Sequence, residues 1–374
     1  MSDNKGKTTD YRFKILYAIA MIQIVGGHCR DGALNLFYDW IPYMGTHLAI
    51  LIFASGYFYK SDVEEKPLDF LWKKTKRLLI PMYIFNLIYG LMVLILKNFG
   101  FSIGGDFNLR NLLLAPLYDG HQFQYNLAGW FVVPLFMAEA GYMLLRLLLS
   151  KLKLKLPETV IFVFALIVGM LGLQCSIMGY HDGWWLMIPR AAYFFAFYAL
   201  GVYYKRVLEK YDKLPHLAYF GIIALIQMTL LVIFHRIPIY VISWCDDFPE
   251  GSFIPFLLGA VGIAFWLRIA KILEPGLGKS KGINAIADHS YSIMLHQFLG
   301  FMAVKTIYAA MTKFGLFLDF NMPAYKSDLW YYYTPQALPY YSLIFYLIAG
   351  IALPIGLSVL GRKIYSALRK NGGK

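Results

Sequence analysis

The chain has 374 residues, of which 59% are hydrophobic and only 15% charged. A soluble chain of this length carries about 25% charge, so a water-soluble enzyme is excluded and an all-α, polytopic membrane protein is expected. The net charge of +13 would suggest nucleic acid in a soluble chain, but here no nucleic-acid partner is expected and the placement of the charge matters more than its size.

The first dozen residues, MSDNKGKTTDYR, are polar and read as a cytoplasmic tail. No small-residue cleavage site follows the first apolar run, so that run is expected to stay as an uncleaved anchor. It spans Phe13 to Arg30, FKILYAIAMIQIVGGHCR, and carries His28 directly after Gly26 and Gly27. Ionisable residues at membrane depth are costly and face a protein interior or a watery cavity. Either this helix delivers His28 to a reaction centre, or His28 is an interfacial histidine wetted at its helix end. Further runs long enough to cross a hydrocarbon core fall at about 41–59, 78–97, 130–149, 158–174, 186–204, 217–234, 253–270, 289–311 and 341–360, which makes ten.

Cytoplasmic loops carry an excess of Lys and Arg, and a cytoplasmic N-terminus with ten spans puts about three-quarters of the 35 basic residues on the inner side. The carboxylates show no such bias. Both termini are therefore expected inside, with 361–374 as a second cytoplasmic tail. No internal repeat or low-complexity linker divides residues 1–374, which read as a single domain. The outer segments at 98–129, 235–252 and 312–340 are rich in Gly, Pro, Tyr and Trp and are expected to lie on the membrane surface or fold back over a cavity. Cys29, Cys175 and Cys245 all fall at or beyond outer helix ends, which leaves a disulfide open. No CxxC or Cys/His cluster is present, so neither a metal nor a bound cofactor is expected.

The helical rise places His28 about 22 Å above the inner end of its helix and His47 about 9 Å below the outer surface, heights at which the two imidazoles can meet. Glu139, near the middle of the fourth run, either pairs with a cation or bonds a neighbouring helix. Arg190, in the sixth run, either snorkels to outer headgroups or serves a site. His296, followed by Gln297, reads better as a helix–helix hydrogen bond than as a catalyst. His121, His181, His216 and His235 read as surface residues of loops. FLWKKTKRLLIP, Phe70 to Pro81, has a basic face with apolar residues at helical spacing. It reads as an amphipathic helix on anionic lipid, as a docking surface for a phosphorylated donor, or as both.

Six stretches together resemble acyltransferase family 3, integral membrane proteins that transfer acyl groups to sugars and other hydroxyl acceptors. VGGHC closes the first helix, FASGYFY lies in the second, and KRLLIP leads into the third. GWFVVPLF contains Trp130, PRAAYFFAFYALG contains Arg190, and HSYSIMLHQ contains His296. Singly these are weak hydrophobic motifs; six in order along nearly the whole chain are specific. One departure concerns the basic residue that the family commonly places eleven positions before the histidine. That position is Tyr17, followed by Ala18 where glycine is usual. Lys14 is expected to supply the missing cation from one turn lower.

The resemblance implies acyl-CoA as donor, acetyl-CoA above all, and a glycan or lipid-linked sugar as acceptor. It places the chain among membrane lipid as a multi-pass protein of the cell membrane, the bacterial cytoplasmic membrane. Lys14, Lys73, Lys74, Lys76 and Arg77 would hold the CoA phosphates. His28 would act as general base or as an acyl carrier, with Arg190 or His47 steadying the oxyanion. Tyr17, Trp130, Glu139 and His296 complete the expected binding set. A transporter of glycans or lipid-linked sugars, with His28, Glu139 and Arg190 along its path, is the alternative from another class.

Overall fold

The computed structural model describes residues 9–30, 34, 37, 40–338 and 341–371, and among these every regular element is helical. α1 (Tyr11–Gly27) starts at Asp10, whose carboxylate accepts from the Arg12 amide at 3.1 Å, a charge suited to the positive end of a helix. It is followed by α2 (Tyr43–Tyr57) and α3 (Pro67–Lys74). A π-helical turn over Thr75–Leu79 carries α3 into α4 (Ile80–Asn98). Pro81 has no amide to offer the preceding turn, and the backbone widens just before it. The basic stretch at 70–81 is thus not a separate surface helix but the first turns of a continuous segment, Pro67–Asn98.

The chain continues through α5 (Ala115–Tyr118), α6 (Val132–Lys151), α7 (Glu158–Ile177) and α8 (Met187–Tyr203). Next come α9 (His216–Phe234), α10 (Ile254–Leu277), α11 (Lys281–Asp288), α12 (Ser290–Met311), α13 (Met322–Ser327) and α14 (Leu343–Asn371). Each of the ten expected apolar runs is helical. Among the described residues, eight helical segments are long and apolar enough to cross a bilayer. α1 and α2, with 17 and 15 residues, are shorter. α1 stops where Gly26 and Gly27 lower helix propensity, leaving His28 as its C-cap, with its amide on the Ile24 carbonyl at 3.1 Å.

α1 is the buried centre of the bundle and packs against α2, α10, α11, α12 and α14. α7 and α9 lie outside, exposing Phe164, Ile167, Leu171, Leu225 and Val232, as a lipid-facing helix does. Two glycines set a backbone-to-backbone contact. A Cβ on Gly56 of α2 would lie 2.0 Å from the Tyr198 carbonyl oxygen, and one on Gly201 of α8 would lie 2.0 Å from that of Phe53. The backbones of α2 and α8 touch through these positions, the small-residue packing favoured within membranes.

On the lysine-rich side the helix ends are tied by ion pairs. Arg12 reaches Glu209 at 3.0 Å, Arg206 reaches Glu158 at 2.6 Å, and Asp212 bonds both Arg268 and Lys271. On the opposite side the segment after α5 turns inward and buries Phe123, Tyr125 and Trp130. His121, expected at the surface, is buried there. Its Nδ1 lies 2.9 Å from Asp119 and its ring stacks on Trp244 at 4.3 Å. Burial pushes the His121 imidazole down, against the opposing pull of its bond to Asp119. The three cysteines are unpaired.

Candidate active site

A cavity of about 810 Å³ opens at the lysine-rich end of the bundle, walled by α1, α2, the α3–α4 segment, α6 and the α11–α12 junction. Lys14, Lys60, Lys74 and Arg77 stand on its walls, while Met21, Leu51, Phe131, Val132 and Met294 line it with apolar surface. Helical spacing explains which basic residues belong to it. Lys74 and Arg77, three apart, share a face and line the cavity. Lys73 and Lys76 lie on the other face, both exposed, with the Lys76 ammonium 4.8 Å from the Trp72 ring.

Tyr17, Arg77 and Glu139 meet in this cavity. Ser55 of α2 lines the same cavity. Glu139 is only 2% exposed. One carboxylate oxygen accepts from Lys74 Nζ at 2.6 Å, while the other is buried with no hydrogen-bond partner among the described residues. Lys14, expected to replace the family's missing cation, is paired with Asp288 at the cavity edge. The guanidinium that shares the cavity with Tyr17 is that of Arg77, from the α3–α4 segment.

His28 lies beyond the cavity, seven residues or about 10 Å further along the helix axis from Met21. Its Nδ1 is 2.9 Å from Gln297 Oε1 on α12, and the Gln297 amide nitrogen donates to the Met294 carbonyl at 3.1 Å. That second bond orients the amide with its oxygen toward His28. Nδ1 is then the donor, and Nε2 of the neutral ring carries the lone pair. The ring also sits 5.3 Å from Phe298 and 5.8 Å from Trp330. Met294, one turn before Gln297, belongs to the cavity wall, so the cavity ends about one helical turn from His28's partner.

His47, Arg190, His296 and Trp130, also expected at the site, do not line the cavity. His47 is buried on α2, beside Thr46, which packs against Gly262 of α10. Arg190 is fully buried, and its guanidinium donates to the carbonyls of Ser243, Tyr118 (3.2 Å) and Asp119 (3.1 Å), stacked 4.8 Å from Trp130. It clamps the segments that follow α5 and α9 together and covers Trp130. His296 bonds the Tyr89 hydroxyl of α4 at 2.8 Å, the helix–helix bond its position suggested. Gln297 was visible in the sequence as the polar neighbour of His296. Adjacent helical residues point about 100° apart, and this one faces α1.

A helical bundle with, among the described residues, eight segments able to cross a bilayer and a cavity bearing Lys, Arg and Glu defines a multi-pass membrane protein with polar chemistry held inside it. Residues 10–361 match the family model Acyl_transf_3, described as an acyltransferase domain. The chain belongs to this acyltransferase family and is a membrane acyltransferase. Comparison with curated proteins and with solved structures finds no match.

Proposed function

We propose that the protein transfers an acyl group, acetyl in the first instance, from acyl-CoA to a hydroxyl of a sugar, cell-surface polysaccharide or lipid-linked glycan. The observation that carries this reading is the form of the cavity. Its basic residues suit the CoA phosphates, and its apolar surface suits the pantetheine arm and acyl group. Its volume of about 810 Å³ falls within the usual range for cofactor-sized ligands. Lys74 and Arg77 hold phosphate. Tyr17 then replaces a charged family residue without loss of local charge, because Arg77 supplies it.

His28 Nε2 takes the proton of the acceptor hydroxyl as its oxygen attacks the thioester carbonyl carbon. The carbon–sulfur bond breaks, the CoA thiolate leaves, and the imidazolium returns the proton to sulfur. The polyanionic end of the donor stays at the inner mouth, because only the small acyl end needs to pass the apolar floor.

Purified protein in nanodiscs supplied with labelled acetyl-CoA tests this directly. Lys74→Gln with Arg77→Gln should raise the donor KM with acetyl transfer still saturable, and the wild-type KM should itself rise with salt, because charge contacts open to solvent are screened. Donor binding without hydrolysis or transfer to any acceptor would reject the enzyme reading and favour a transporter.

A further inference from the structure

On the side of His28 away from the cavity lies Trp330, in the segment between α13 and α14. It is 49% exposed, yet its position is fixed on three sides. Its backbone amide donates to Asp328 Oδ1 at 2.8 Å, the adjoining Leu329 carbonyl accepts from the buried Lys305 ammonium at 3.0 Å, and Phe298 meets its ring edge-on at 5.5 Å and 85°. Lys305 and Phe298 both belong to α12, the helix whose Gln297 orients His28. One helix thus holds the imidazole and the indole at a centroid separation of 5.8 Å. The exposed Arg30, two residues after His28, reaches the Oγ1 of Thr334, four residues after Trp330, at 3.3 Å.

We propose that Trp330 is the platform on which the acceptor's sugar ring lies, with Arg30 at its polar edge, an inference that rests on the acyl-transfer reading of His28. A pyranose presents weakly positive C–H groups on its face and hydroxyls on its rim. The face of an aromatic ring carries the negative lobe of its quadrupole, so it receives C–H groups. Hydroxyls at the rim then meet Arg30 on one side and His28 Nε2 on the other. A membrane-anchoring tryptophan gains by turning toward headgroups. This one is instead braced by α12 against the imidazole. A lipid chain would have no use for the neighbouring guanidinium, whereas a saccharide has acceptor oxygens for it.

The test is saturation-transfer NMR on protein in nanodiscs, with a panel of gluco-, galacto- and N-acetylglucosamino-trisaccharides. At least one should receive saturation on its ring protons. Trp330→Ala should weaken that binding about tenfold or more, while Trp330→Phe, which keeps an aromatic face, and Trp184→Ala, an exposed tryptophan elsewhere, should hold it near wild type. Thermal unfolding of each variant reports that it is folded. Equal binding by Trp330→Ala, or no binding of any trisaccharide by the wild type, overturns the proposal. Acetyl transfer measured in parallel separates the two readings. Transfer indifferent to Trp330 sinks the platform alone, whereas Trp330-dependent sugar binding without any acyl transfer sinks the enzyme reading and leaves a glycan site.

Discussion

An imidazole acts as a base only through the nitrogen that carries no proton, so the partner of the other nitrogen governs its chemistry. For His28 that partner is Gln297, itself oriented by the Met294 carbonyl. If His28 is the general base, Gln297→Leu should lower kcat by about 10–10², short of the 10²–10⁴ attributable to the base itself. Gln297→Glu, which still offers an oxygen to Nδ1–H, should retain most of the activity. Single-turnover rates at saturating donor measure both, and equal loss in the two variants would mean that Gln297 serves packing alone. The histidine was legible in the sequence because an imidazole after an apolar run is unusual. Its partner was not, because the two lie 269 residues apart and nothing in either local pattern reports the pairing. Arg190 was hard to read for another reason: its partners are backbone carbonyls, which any residue provides.

Helices in a bilayer associate by close packing more than by exclusion of water, and at the α2–α8 contact this gives the family motifs a physical meaning. The glycines of FASGYFY and PRAAYFFAFYALG are Gly56 and Gly201, each within 2.0 Å of the facing backbone if given a Cβ. Gly56→Ala should therefore destabilise the protein by about 1–3 kcal/mol, seen as a lower unfolding temperature in detergent. Gly221→Ala on α9, with open space around it, should be neutral or slightly stabilising. Among the described residues, the eight helical segments long and apolar enough to cross a bilayer were legible because hydrocarbon demands long uninterrupted apolar stretches. The continuity of α3 with α4 was not, because a basic amphipathic stretch reads the same whether it lies on the surface or leads into a span.

The helix ends on the lysine-rich side also carry a pH dependence. Burial pushes the Asp212 carboxyl up, but its bonds to Lys271 and Tyr204 and the charge of Arg268 outweigh this and hold it below the usual carboxylate range. A carboxyl held low in the folded state contributes stability that is fully present above the ordinary value near pH 4 and is lost as pH falls through the folded value. Asp212→Asn should therefore lower the unfolding temperature at neutral pH. The gap from wild type should close below about pH 4. A gap independent of pH would show that the residue acts through shape alone.

For the molecule as a whole, the mouth of the cavity and His28 lie toward opposite ends of α1, which makes orientation a functional question. The mouth sits on the side where Arg206 meets Glu158 and Arg268 meets Asp212, the same side that carries most of the lysines and arginines. If that side faces the cytoplasm, as the positive-inside rule leads one to expect, the mouth opens where acyl-CoA is made, and Trp330 and His28 open toward the outside. Alkaline-phosphatase and fluorescent-protein fusions at residues 110, 155, 210 and 245 should report outside, inside, inside and outside. With positions 155 and 210 inside, a membrane-impermeant donor added to sealed vesicles should be used only when the inner face is exposed. Outside signals at 155 and 210 would put the cationic mouth where CoA is absent, and the acyl-CoA reading would fail with the topology.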